Sequence, residues 1–281
     1  MFLQESFCRK TYLYVKIGHM RIFVPPEDIQ KREQIRLSAD KSHYLISVIR
    51  CKKGDGVAII DGKGNAYEAE VSEIAKRHVF INILHETPVD TESAINFILC
   101  QGILKGEKMD LVIQKTTELG ANGITPLITE RCVVKETRKI KRWQKIAEEA
   151  AEQCGRAVIP KVYEPVQFAE FFERERFRKT DAMEYWSNGE MTGFIFWEEG
   201  GMPLKESIKK ISFTSLQNSI TPIFLFVGPE GGFTSEEIRL AERHGLIRTT
   251  LGKRVLRAET AAIVSTALVQ SLTESIFSSE D

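Results

Sequence analysis

Over the first part of the chain, apolar and polar positions alternate at a spacing of two. MRIFV (20–24) is a short apolar run halted by Pro25-Pro26, and GVAIIDG (56–62), NAYEAEVSEI (65–74) and HVFINIL (78–84) follow it. Alternation over such short runs predicts strands. Asp61-Gly62-Lys63-Gly64-Asn65 is a turn signal, because Gly and Asn tolerate the positive φ that tight hairpins require. Asp40–Ile49 reads as a short helix with Asp40 or Ser42 near its cap. Several short strands in one block suggest a small β-barrel over residues 20–90.

Thr87–Ser93 is a polar connector containing Pro88, and the domain boundary is placed there. Beyond it the spacing changes. Apolar runs at Ala94–Cys100, Ile124–Ile128, Gly193–Trp197, Ile223–Val227 and Ile247–Leu251 read as strands, with helical stretches between them. Lys108–Leu119 brings Met109, Val112, Ile113, Thr116 and Leu119 to one face before Gly120. Lys141–Cys154 does the same with Trp143, Ile146, Ala147, Ala150, Ala151 and Cys154 before Gly155. Thr234-Ser-Glu-Glu237 is a capping box that opens a third helix, closed at Gly245, and a last helix runs from Glu259 to Leu272. Strands and helices in alternation predict a parallel sheet with helices on both faces. Residues 174–192 read as a charged surface loop. Residues 1–19 lack the apolar core of a secretory signal and read as an extension without an assigned role.

The composition, 42% hydrophobic in 281 residues, is that of an ordinary globular chain. Formal net charge is zero, so any nucleic-acid surface must be local. Lys31, Arg32, Arg50, Lys52, Lys53, Lys76 and Arg77 in the first block are either solvated loop charges or such a surface. The cysteines Cys8, Cys51, Cys100, Cys132 and Cys154 are odd in number and lack C-x-x-C spacing, which predicts free thiols in a reducing cytoplasm and no metal site. No run approaches the roughly 20 apolar residues of a membrane span.

Two loops carry candidate chemistry. Phe226-Val-Gly228-Pro-Glu-Gly231-Gly232-Phe233 follows an apolar strand and precedes the capped helix. Ligands in open parallel sheets sit at the carboxyl ends of strands, and glycines let backbone approach a ligand closely. A plain tight turn is the equal alternative, because the spacing matches neither the dinucleotide fingerprint nor a P-loop. The second loop is LGKRVLRAETAA (251–262), where Leu251, Val255 and Leu256 mix with Lys253, Arg254, Arg257 and Glu259. Cations at a helix start oppose the macrodipole unless an anion binds there.

GPEGGF (228–233) together with LGKRVLRAETA (251–261) resembles the ribosomal RNA uridine-N3 methyltransferase family. MRIFV, GEKMDLVIQKTTELG with ITPLITERCVVK, and WQKIAEEAAEQCGR match as well, in order from Met20 to about Gln270. The resemblance implies a PUA-like barrel (20–90) joined to an α/β trefoil-knot (SPOUT) domain (91–281) that works as a homodimer. The knot is an exception to the rule against threaded chains. The resemblance also implies an S-adenosylmethionine cofactor, no metal, and N3 of a uridine in 16S rRNA of the small ribosomal subunit as the target. By it, Phe226, Gly228, Gly231, Gly232, Leu251, Gly252 and Leu256 enclose the cofactor with help from the loop of Trp197. Uridine N3 must lose a proton to attack, so Arg257 is expected to stabilise the resulting anion and Glu259 to take the proton. The alternatives are a phosphate contact for Arg257 and a helix-start carboxylate for Glu259. Arg50, Lys52, Lys105, Lys108, Arg131 and Arg254 are the expected RNA contacts, with Lys115, Lys135, Arg138 and Lys139 as further candidates. The face of Glu152, Gln153 and Arg156 is assigned either to a second subunit or to the cleft. Ala258, Ala261, Ala262, Ser265 and Ala267 on the last helix would permit close packing of a second copy. Three rival readings stand at this level: the same fold acting on another RNA target, a non-catalytic RNA-binding or ribosome-assembly factor, and an ordinary doubly wound nucleotide-binding enzyme, against which the missing G-x-G-x-x-G and the late position of the glycine loop count.

Overall fold

A computed structural model describes residues 20–29, 34–93, 95–173, 191–211 and 222–277. The expected N-terminal extension (1–19), Lys31, Arg32 and nearly all of the expected surface loop (174–190) lie outside the described residues. The chain divides into two compact units, one running to Glu92 and including Ala151–Ile159, the other made of Ser93–Ala150 and the residues from Pro160 onward.

In the first unit the alternating runs become strands β1 (Arg21–Phe23), β2 (Ile35–Arg36), β3 (Gly56–Ile60), β4 (Ala66–Ala75) and β5 (His78–Thr87). They form one sheet in the order β1-β3-β4-β5-β2, with β1 parallel to β3 and the other pairs antiparallel. Their inward residues, among them Ile22, Ile35, Val57, Ile59, Val71, Val79 and Ile81, make one apolar cluster with Leu45. The Asp61 carboxylate organises the β3–β4 turn by accepting the N–H groups of Lys63 (2.8 Å) and Asn65 (3.0 Å).

Short helices α1 (Pro26–Ile29) and α2 (Ala39–His43) complete the unit, and α2 continues as a π-helical stretch over Tyr44–Ile49. The cap of α2 is Ser38, whose hydroxyl accepts the Lys41 N–H, and not Asp40 or Ser42. Ser42 is fully buried and its hydroxyl is already used, accepting the Val79 N–H and donating to the Leu37 carbonyl.

The Ala151–Ile159 segment is integral to this unit. Glu152 accepts the Phe23 N–H at 2.6 Å and pairs with Lys41. The Arg156 guanidinium, only 4% exposed, is held by Glu92 at 2.7 Å, and Glu92 also accepts the Ala157 and Val158 N–H groups. Glu152 and Arg156 are thus engaged within the first unit, a use that neither sequence alternative anticipated.

The second unit contains β6 (Phe97–Gly102), α3 (Lys108–Glu118), β7 (Gly123–Ile128), α4 (Ile140–Cys154, whose last turn counts with the first unit), β8 (Lys161–Val162) and β9 (Val166–Gln167). After these come β10 (Gly193–Phe196), β11 (Met202–Pro203), α5 (Leu204–Lys210), β12 (Ile223–Val227), α6 (Ser235–Arg243), β13 (Ile247–Thr250) and α7 (Ala258–Phe277). The sheet is parallel, in the order β11-β13-β10-β12-β6-β7-β8, with β9 also paired to β7.

Its central strands are apolar on both faces because both are covered. Phe97, Leu99, Leu225 and Val227 pack with Met109, Val112, Trp143, Ala262 and Val269 on one side. Ile98, Cys100, Phe224 and Phe226 pack with Phe168, Phe171, Ile238 and Ala241 on the other.

Helix α7 runs past the expected end at Leu272. Thr273 and Ser275 fold their hydroxyls back onto the carbonyls of Val269 and Ser271, so these polar residues stay helical. On the same helix Ala262 and Ser265 are fully buried against the chain's own core, which uses up part of the small-residue face offered for a second copy. Cys154, expected on the buried face of α4, is exposed at its last position, where Gly155 turns the chain at φ +88°. No described helix is long and apolar enough to cross a membrane, and the described residues hold no cluster of three His, Cys, Asp or Glu suited to a metal.

Candidate functional site

Strands β13, β10 and β12 are neighbours and parallel, so the loops that follow them meet at one edge of the sheet. There they enclose a cavity of about 360 Å³. Phe196–Glu198 lines it after β10, Val227–Glu230 and Gly232 after β12, and Thr250–Gly252 with Arg254–Glu259 after β13, while Lys108 joins from α3.

The glycine loop is shaped from its ends inward. Phe226 and Phe233 flank it, both buried, with ring centroids 6.1 and 5.3 Å from Phe168. At its start, the buried Gln101 amide donates to the Gly228 carbonyl at 3.1 Å. A Cβ on Gly102 would come within 2.5 Å of the Pro229 nitrogen, so the end of β6 meets the loop backbone to backbone. Gly232 takes φ +69°, and a Cβ there would collide with the Glu198 carboxylate. Thr234 then caps α6 with the predicted capping box intact.

Charge in the cavity is organised around Lys108. Its Nζ lies 3.3 Å from Glu230 Oε1 and 3.8 Å from Glu259 Oε2. Burial raises the Glu230 pKa, but hydrogen bonds from its own N–H, the Lys105 N–H and Lys108 outweigh that and hold the carboxyl below its ordinary value. Glu259 stands in the first turn of α7, 9% exposed, and its Oε2 has no hydrogen-bond partner among the described residues. Arg254, Val255 and Arg257 are exposed at the mouth. Trp197 is half-buried, with the Arg248 guanidinium 5.5 Å from its ring. Gly252, at φ +119°, has open space where a side chain would stand.

Gly228, Gly232, Leu251, Gly252, Leu256, Trp197, Arg257 and Glu259 therefore come together around one cavity, with Lys108 and Arg254 from the expected RNA contacts. Six expected residues do not line it. The ring of Phe226 belongs to the core on the opposite face, because strand alternation pairs it with Phe224 and turns Val227 towards the cavity side. Gly231 faces away, against the Arg131 side chain. Lys105 contributes its backbone N–H to Glu230, and Arg131 bonds loop carbonyls. Lys108, expected on phosphate, is engaged by two carboxylates. Arg50 and Lys52 lie in the first unit. The lining also includes Phe196 and Glu198, which the sequence reading named only as part of the Trp197 loop, and Val227 and Glu230, which it named only as part of the glycine motif.

A family model described as an RNA methyltransferase domain matches residues 91–270, and one described as an RNA methyltransferase PUA domain matches residues 37–84. A crystal structure of a ribosomal RNA small subunit methyltransferase E from Neisseria gonorrhoeae, bound to S-adenosyl methionine, superposes with a TM-score of 0.77 at 33% identity. The match covers 90% of this chain and 98% of that one. The ribosomal RNA small subunit methyltransferase E of Synechocystis is 34% identical over 91% of this chain and 78% of its own length. That of Bacillus subtilis is 29% identical over 88% and 94%.

Fold and comparisons together define an RNA methyltransferase of the SPOUT α/β-knot class carrying a PUA-like β domain. Within that class, the chain belongs to the ribosomal RNA small subunit methyltransferase E family.

Proposed function

We propose that this protein transfers a methyl group from S-adenosylmethionine to N3 of a uridine in 16S rRNA of the small ribosomal subunit. The observation that carries the reading is the cavity itself. Glycine backbone and the apolar walls of Leu251, Leu256 and Trp197 stand beside a buried carboxylate oxygen, Glu259 Oε2, that has Lys108 at 3.8 Å but no hydrogen-bond partner among the described residues. Apolar walls with a few placed polar groups suit a small organic ligand, and a buried acceptor needs a donor.

When bound, S-adenosylmethionine supplies an electrophilic methyl on a sulfonium, so the chain itself must orient the base and handle one proton. The backbone at Gly228, Gly232 and Gly252 allows close approach of the ligand. Glu259 accepts the N3 proton, with Lys108 Nζ 3.8 Å from its Oε2. Arg257 at the mouth stabilises the negative charge that spreads to the uracil oxygens. Because N3 is used in base pairing, the target must be unpaired or flipped out. Arg50, Lys52, Lys105 and Arg254 contact phosphates.

We further propose, from the family resemblance, a homodimer acting in the cytoplasm, and light scattering reads the mass directly. Calorimetric titration with S-adenosylmethionine, followed by a methylation assay on small subunits lacking the modification, tests the function. Stoichiometric binding and methyl on uridine N3 support it. A folded protein that does not bind, or methylation at another atom, overturns it.

A further inference from the structure

We infer that Arg131 is a positioning residue for the cofactor, holding the backbone on both sides of Gly232 and not an RNA phosphate. The inference rests on the reading that the cavity takes S-adenosylmethionine.

Arg131 Nη1 donates to the carbonyl of Gly231 at 3.0 Å and to that of Phe233 at 3.3 Å. Gly232 lies between them, lines the cavity, and at φ +69° has no side chain to limit its swing. A glycine loses more conformational freedom on ordering than any other residue, so a binding loop built on it needs external restraint. Gln101 restrains the loop at Gly228, the Phe233 ring anchors its far end, and Arg131 restrains the peptides flanking Gly232.

The turn bearing Arg131 is itself fixed. The Cys132 N–H bonds the Thr129 carbonyl at 3.2 Å, and Lys135 Nζ caps the carbonyls of Thr129 and Glu130 at 2.9 and 2.8 Å. The Glu130 N–H goes to Glu237 Oε1 at 2.9 Å, while Glu237 Oε2 takes the Thr234 N–H at 2.8 Å. One carboxylate thus joins the turn to the helix that leaves the glycine loop, and the guanidinium is delivered from a preorganised base.

Purified full-length Arg131→Ala and Arg131→Lys are compared with wild type in three measurements. These are calorimetric affinity for S-adenosylmethionine, kcat and KM on small subunits, and RNA affinity as a function of salt. The expected result for Arg131→Ala is about a tenfold loss of cofactor affinity, matched in the cofactor KM. Saturating cofactor restores kcat, the salt slope of RNA binding is unchanged, and Arg131→Lys recovers most of the loss. Gly231→Ala, whose new Cβ would press to 2.9 Å from Arg131 Cβ, should weaken cofactor binding by the same route. Its effect should be less than additive with Arg131→Ala. Unchanged cofactor affinity in Arg131→Ala, with a salt slope reduced by about one, would make Arg131 a phosphate contact and overturn the inference. Failure of wild-type protein to bind the cofactor would instead remove the functional reading beneath it.

Discussion

Gln101 and Gly228 are 127 positions apart in sequence, yet the amide of one donates to the carbonyl of the other at 3.1 Å. The same nitrogen reaches the Gly102 carbonyl at 2.9 Å, so one fully buried side chain ties the end of β6 to the start of the glycine loop. Gln101→Leu keeps the bulk and removes the donor, leaving two carbonyls short of a partner. Urea unfolding should show a loss of about 2–3 kcal/mol. A midpoint equal to wild type would mean that the loop does not depend on this bond.

Gly102 and Gly252 should respond differently to alanine. At Gly102 a Cβ meets Pro229 backbone at 2.5 Å and neither chain can yield, so a loss of about 3 kcal/mol is expected. Gly252 is surrounded by open space, and only its positive φ resists, at about 1–2 kcal/mol. Equal losses in thermal melts would contradict this ordering.

The depressed Glu230 carboxyl predicts an acid-dependent contribution. Its folded pKa lies below the ordinary 4.5, so the unfolded chain binds more protons there and stability rises with pH. The contribution is fully present above that ordinary value and disappears as pH falls through the folded one. Wild type should therefore exceed Glu230→Gln near neutrality, with the gap closing in acid. A gap that stayed constant to low pH would rule the carboxylate out as its source.

Removing Glu92 takes a carboxylate partner from a buried guanidinium. Glu92→Ala should cost about 3–5 kcal/mol, since losing one side of a buried ion pair is strongly destabilising. Chemical denaturation of full-length protein measures it, and a loss below about 1 kcal/mol, the range of an exposed pair, would refute the assignment.

Glu259→Gln separates the two roles open to that carboxylate. As the proton acceptor, its loss should lower kcat about 10²–10⁴-fold with the fold intact. As a helix-start carboxylate alone, it should cost only about 0.3–1 kcal/mol of stability and leave kcat near wild type.

The legible parts of this fold were the local ones. Val112 and Ile113 announce α3 by their spacing, and Thr234 with Glu237 announces the start of α6 from four adjacent residues. The two loops of the cavity were legible for the same reason, as short runs of glycine or of mixed charge and apolar residues. Long-range relations were not. Strand alternation puts Phe226 with Phe224, but which face of β12 borders the cavity depends on neighbours far along the chain. Lys108 reads as a free cation until Glu230, 122 positions away, is beside it. Arg131 looked like a phosphate contact because nothing near it in sequence shows that the carbonyls of Gly231 and Phe233 are its partners.

The return of residues 151–159 to the first unit bears on how the chain assembles during synthesis. Glu92 leaves the ribosome well before Arg156, Ala157 and Val158, the donors its carboxylate accepts. At the ~5–20 residues per second of translation, the nascent N-terminal sheet waits several seconds for its last segment. A fragment cut at the connector would stay in that waiting state permanently, and a synthetic peptide spanning 151–159 is the piece that should complete it in trans.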